Sequence, residues 1–247
     1  MGVESKFYVL PDTSGYRPDP RNVSELVKAL RAAGFICDPN SPAFVASAHQ
    51  AGSLNSPADW EGFSWRLGRD EVAGSLSALE LFLTDHRESD VLVRWPNKDL
   101  HLSGLKYPLS VSPGPDEVYH DIEMHLAADT VYHTSEIIDP FTDIRCSCGA
   151  AIQEFEPSGN DPFYSSRLPN HCPECHRQVN YATLPVTIRD GWTGVESKAV
   201  GGTAYRFAIV VDCGKCWPDG EADVVAEFLG VIERTVQIKT RVFRDFY

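Results

Sequence analysis

Cys146 and Cys148 stand one residue apart, and Cys172 and Cys175 stand two residues apart in Asn170-His171-Cys172-Pro173-Glu174-Cys175-His176. Cysteine thiolates are soft ligands, and a structural zinc ion takes four of them, or a cysteine and histidine mixture, at tetrahedral corners. On an extended strand, residues i and i+2 point to the same face. Cys146 and Cys148 can therefore offer both sulfurs to one ion. A C-P-x-C turn presents two more from a tight knuckle, with Pro173 fixing the backbone. Gly149 lets the chain turn away after the first pair. The expectation is one structural Zn²⁺ on Cys146, Cys148, Cys172 and Cys175. Either histidine flanking the second pair, His171 or His176, is an alternative ligand in place of one cysteine. Arg145, His171, His176 and Arg177 adjoin the ligands and would offset the charge of four thiolates.

The segment from Cys146 to His176 resembles a zinc ribbon or zinc knuckle. The resemblance covers about 30 of the 247 residues. It implies a stable metal-braced module, a device that serves many unrelated functions.

Two other groups could do chemistry. Cys213-Gly214-Lys215-Cys216 is a second C-x-x-C, placed after a strand and before a helix. That context resembles a thioredoxin-type redox motif, in which a helix N-terminus favours the thiolate. Trp217 and Pro218 delay the helix, and Asp212 and Asp219 oppose ionisation, so a structural or metal-binding use competes. The other group is Asp121, Glu123 and His125, which alternate onto one face of an extended segment. They could form a carboxylate–imidazole metal site or an acid–base pair of a hydrolase. The simpler reading is a solvated strand face. Cys37 stands alone and reads as a small buried hydrophobe. No nucleophile elbow, zinc-protease helix, phosphate-binding glycine–lysine loop or dinucleotide fingerprint occurs.

The elements that must position these residues follow from periodicity. Residues 5–10 read as a strand ended by Pro11. A helix is expected over 23–33, capped by Asn22 or Ser24, with Leu26, Val27 and Leu30 as its apolar stripe and Gly34 as its stop. Residues 35–37 read as a returning strand, and 38–64 as irregular. Val72, Leu76, Leu79 and Leu83 place a helix over 70–82, followed by a strand over 91–95. From 117 to 126 the chain alternates, with Val118, His120, Ile122, Met124 and Leu126 on one side. A short turn at 127–129 and a second strand over 129–138 would complete a half-buried hairpin with an acidic outer face. Strands are expected over 203–211 and 235–246, with an amphipathic helix over 221–232 between them. Residues 7–36 and 207–238 thus share a strand–loop–helix–strand order, an echo consistent with internal duplication.

The fold class that emerges is α+β: a largely antiparallel sheet, a few helices and an inserted zinc-ribbon-like module. Residues 1–144 and 183–247 would form one domain and 145–182 the insertion. The seven cysteines, with neither an apolar run long enough to cross a membrane nor a secretory leader, point to a cytoplasmic protein. Formal net charge is −13. From Tyr107 to Ile144 there is no Lys or Arg, while Asp116, Glu117, Asp121, Glu123, Asp129, Glu136, Asp139 and Asp143 all fall there. Such a surface repels nucleic acid and attracts cationic partners. Only a local patch around Arg145, Arg167 and Arg177 would favour nucleic acid. The functional expectation is a non-enzymatic, zinc-stabilised protein that binds a basic protein, as an inhibitor or immunity-type protein would. The alternatives are a thiol-redox enzyme at Cys213 and Cys216, or a metal-dependent hydrolase at His125.

Overall fold

The computed structural model describes residues 5–36, 45–49, 75–96, 105–110, 121–132, 141–154, 171–179, 184–189, 196–200, 204–212 and 223–246. Ten strands and three helices are seen there. The strands are β1 (Ser5–Pro11), β2 (Val45–His49), β3 (Asp90–Pro96), β4 (Asp121–Tyr132), β5 (Phe141–Arg145), β6 (Ala151–Glu154), β7 (Pro185–Arg189), β8 (Glu196–Val200), β9 (Ala204–Asp212) and β10 (Thr240–Phe246). The helices are α1 (Pro20–Ala32), α2 (Leu76–Asp85) and α3 (Ala226–Val236). A six-stranded sheet runs β10-β1-β9-β4-β3-β2, and a four-stranded sheet runs β6-β5-β7-β8. Every pairing within them is antiparallel. The fold class is therefore α+β, as the sequence predicts.

Alternation decides which face of the large sheet meets the helices. Phe7 and Val9, Val91, Val93 and Trp95, Ile122, Met124 and Leu126, and Phe207, Ile209 and Val211 all point to one side. There they pack with Val23, Leu26, Val27 and Leu30 of α1, Leu79 and Leu83 of α2, and Phe228, Val231 and Ile232 of α3. Burying side chains of this size stabilises by roughly 1.5–3 kcal/mol each, which makes this the principal core.

Helix α1 starts three residues earlier than its apolar stripe indicates. Asp19, not Asn22 or Ser24, is the N-cap, and its carboxylate accepts the Asn22 N–H at 2.8 Å. Pro20 follows at the first helical position, where its missing N–H is harmless. Gly34 ends the helix as expected, with φ of 82°. The Gly34 N–H donates to the Arg31 carbonyl and the Phe35 N–H to the Leu30 carbonyl, while Phe35 and Leu30 join the same core. This is a Schellman stop. Residues 35–36 are a buried bend and not a returning strand, and Cys37 lies outside the described residues. The echo between the two halves is visible in β1–α1 and β9–α3, while residues 35–36, which it reads as a strand, are a bend.

Three further expectations change. Residues 45–49, within the stretch read as irregular, form edge strand β2 against β3. Helix α2 begins at Leu76, because the Ser75 hydroxyl accepts the Ala78 N–H and caps it there. Residues 70–74, with Val72, lie outside the described residues. The third change is the hairpin: β4 is one continuous strand, with no turn at 127–129. Between Leu126, opposite Phe207, and Val131, opposite Tyr205, it carries a bulge. Side chains hold that bulge: Asp90 Oδ1 accepts the Ala128 N–H at 2.8 Å, and Arg206 donates to the Ala128 carbonyl at 2.5 Å. Residues 117–120, with Val118 and His120, and residues 133–138, with Glu136, lie outside the described residues. Among the described residues, no helix is long and apolar enough to cross a membrane.

Candidate metal centre

The four-stranded sheet carries the paired cysteines. Strand β5 runs into a tight turn in which the Gly149 N–H donates to the Cys146 carbonyl at 2.8 Å and the Cys146 N–H to the Ala150 carbonyl at 2.9 Å. Gly149 takes φ of 91°, a left-handed conformation that glycine enters at no steric cost. The chain then leaves as β6. Arg145 donates to the Gly149 carbonyl at 3.1 Å and so braces this turn from outside.

The second knuckle has matching bonds. The Cys172 N–H donates to the Arg177 carbonyl at 2.9 Å, and the His176 N–H to the Cys172 carbonyl at 3.0 Å. His171 and Gln178 pair across it as an isolated bridge. His176 takes φ of 56°, so here a residue with a side chain holds the left-handed position. The Cys175 N–H points at the Cys172 sulfur from 3.5 Å.

Folding brings the two knuckles face to face. The Sγ atoms of Cys146, Cys148, Cys172 and Cys175 all lie within 4.8 Å of one another. Cys146 Sγ is 3.6 Å from Cys175 Sγ, and Cys148 Sγ is 3.7 Å from Cys172 Sγ. Zinc–sulfur bonds of about 2.3 Å at tetrahedral angles imply sulfur separations of about 3.8 Å, so the cluster has the size such an ion needs. No cysteine here is in a disulfide. Cys172 is fully buried, Cys146 is buried, Cys175 is partly covered and Cys148 is exposed. His171, His176 and Arg177 are exposed, and neither histidine joins the sulfur cluster.

The four thiols influence one another's ionisation. The Cys148 backbone N–H, helped by the neighbouring thiols, draws the Cys146 thiol down to about 6 against the opposing effect of burial. At Cys148 the Ala150 N–H also favours the thiolate. Desolvation and the three surrounding sulfurs outweigh it and push that thiol up to about 11. Four sulfurs this close cannot all ionise unless a positive ion sits among them. The tetracysteine group could hold a metal ion of that kind.

The second candidate, on β4, is built differently from its sequence reading. Glu123 and His125 share a face of the strand, but that face is buried: 6% and 2% of their surface remains exposed. They sit among Tyr8, Leu10, Leu92, Ala127, Val131, Tyr205, Ala208 and Val210, a second buried cluster on the sheet. The acidic outer face is thus an interior one at these two positions. The Asp121 side chain is not among those described.

His125 Nε2 lies 3.2 Å from Glu123 Oε2, and its Nδ1 lies 3.1 Å from the Tyr205 hydroxyl. A carboxylate can only accept, so Nε2 carries a proton and donates it. Arg94 Nε approaches the other carboxylate oxygen at 3.6 Å. Burial by itself would raise the Glu123 carboxyl. The hydrogen bond from His125 and the charges of His125, Lys6 and Arg94 outweigh it and hold Glu123 at about 2. Tyr205 moves the other way: burial, and then the Glu123 charge, keep its phenol protonated. Each of these groups is engaged by another, and the set reads as a buried polar network tied by two hydrogen bonds and an ion pair. Lys6, Tyr8, Arg94 and Tyr205 carry no sequence signal for it, because they reach it from three other strands.

Cys213 and Cys216 lie outside the described residues, as does Arg167. No protein family matches the chain, and no curated protein or solved structure matches it.

Proposed function

We propose that Cys146, Cys148, Cys172 and Cys175 hold a Zn²⁺ ion and that its role is structural. The closure of four sulfurs from two separate knuckles to within 4.8 Å carries this reading. Four thiolates fill a tetrahedral shell and leave no open position for water or substrate, which separates a structural zinc from a catalytic one. Free thiols side by side also suit a reducing compartment, such as the cytoplasm.

Around that module we place a non-enzymatic protein-binding role, of the inhibitor or immunity type, with a basic protein as partner. The support for the partner is charge: a chain at −13 steers cationic surfaces toward it and repels phosphate backbones. Glu123 has no share in such a surface, since it is buried against His125 and Arg94.

A native mass spectrum of the protein, isolated gently from its own cells, tests both parts. One Zn²⁺ per chain and a bound basic protein, released as salt is raised, is the expected result. A metal-free chain whose reduced form takes up no zinc would overturn the metal assignment. A bound partner that is acidic, or whose hold ignores salt, would overturn the charge argument.

A further inference from the structure

The zinc site has one weak side. Cys148 is exposed, while its neighbour across the cluster, Cys172, is fully buried with their sulfurs 3.7 Å apart. Taking the zinc reading as given, we propose that this pair makes the centre a peroxide-sensitive release device: Cys148 is the point of attack and Cys172 the resolving thiol.

Zinc keeps its ligands as thiolates at neutral pH, and the thiolate is the form that reacts with peroxide. Of the four cysteines, Cys148 alone is an exposed residue; Cys146 and Cys172 are buried and Cys175 is partly covered, so peroxide reaches Cys148 first. Its sulfur attacks one oxygen of hydrogen peroxide. The O–O bond breaks, hydroxide leaves, and Cys148 becomes a sulfenic acid. The Cys172 thiolate then attacks the Cys148 sulfur, the S–O bond breaks, and a second hydroxide leaves. Each hydroxide takes a proton from solvent. Two thiolates lose two electrons between them, peroxide gains two, and the products are one disulfide and two waters.

The partner in this step is set by tertiary structure. In sequence, Cys172 and Cys175 are the obvious C-x-x-C pair for a disulfide. In the folded chain Cys148 contacts Cys172 across the knuckles, and Cys146 contacts Cys175 at 3.6 Å. A Cys148–Cys172 bond removes two of four ligands, and two thiolates hold zinc far less firmly than four. The bond also ties the same two knuckles that the ion tied, so reduction can restore the site without refolding the sheet.

The experiment starts from reduced protein shown to contain one zinc per chain. It is treated with hydrogen peroxide beside a chromogenic zinc chelator, and the thiols are then alkylated and mapped by peptide mass spectrometry. We expect loss of the zinc together with a Cys148–Cys172 disulfide, and recovery of zinc binding after a dithiol reductant. A Cys148→His variant keeps a ligand that zinc accepts but has no thiol at the exposed corner. It should hold its zinc at a peroxide dose that empties the natural chain. Zinc retained by the natural chain, a Cys172–Cys175 disulfide as the first product, or equal zinc loss from both proteins would each overturn the proposal. Reduced protein that takes up no zinc at all would instead overturn the zinc reading, and this proposal with it.

Discussion

Glu123 shows how much one residue's meaning depends on what lies across the sheet. By its own strand it is an acidic residue on an alternating face. In the fold it is enclosed, bonded to His125 at 3.2 Å and close to Arg94. Its carboxyl is held at about 2, below its ordinary value of 4.5. A depressed carboxyl stabilises the folded state above the unfolded value. That contribution is complete above roughly pH 4.5 and is lost as pH falls from there toward 2. The gap corresponds to about 3 kcal/mol at neutral pH. Glu123→Gln should therefore lower the urea midpoint at pH 7 and flatten the acid side of the stability–pH curve between those limits. A variant that keeps the full acid dependence would show that other carboxylates carry it. His125→Leu should be costlier, by about 3 kcal/mol, because it leaves a buried carboxylate short of one partner.

At the scale of elements, local signals fix where segments start and stop, and long-range bonds override some of them. Helix α1 is bounded by Asp19 and by the Gly34 stop. Asp19→Ala should destabilise the protein by about 1 kcal/mol, read from urea melts. Asn22→Ala should change it much less, because Asn22 supplies the backbone donor and not the cap. Strand β4 is the opposite case. The Ala127-Ala128-Asp129 segment has turn-compatible residues, yet Asp90 and Arg206 grip Ala128 from neighbouring strands and make a bulge in its place. The turn between α3 and β10 is likewise pinned from a distance of a few residues: Glu233 accepts from the Thr240 N–H, the Thr240 hydroxyl and the Lys239 ammonium.

At the scale of the whole molecule, the described residues give the two sheets different cores. The large sheet buries apolar side chains against three helices. Around the cysteines, the described core is Ile144, Cys146, Ile152, Cys172 and Leu184, with Ala150, Cys175 and Val179 packed beside it. Three of those eight are cysteines of the cluster, so among the described residues little apolar burial besides the sulfurs joins the two knuckles. If the proposed zinc braces the knuckles, its chelation should strip amide-exchange protection from residues 141–154 and 171–179. Strands β1, β4 and β9 should stay protected. Uniform loss of protection would mean that one cooperative unit spans both sheets; no loss anywhere would mean that the metal does not brace the knuckles.

Sequence by itself determined what depends on near neighbours. The period of two in β1, β3, β4 and β9 is legible, as are the stripe of α1, the glycine stop at Gly34 and the four cysteines with ligand spacing. These rest on local backbone geometry and on the chemistry of single side chains, which travel with the residue. Tertiary structure alone decided what depends on crossing strands. It set the order β10-β1-β9-β4-β3-β2 and made β4 one bulged strand where the alternation read as a hairpin. It enclosed Glu123 and His125 among a second cluster of buried residues, on the face that the pattern leaves to water. It also chose which cysteine sulfurs touch. Spacing pairs Cys172 with Cys175, but only the approach of two knuckles sets Cys148 against Cys172, 24 positions further along the chain.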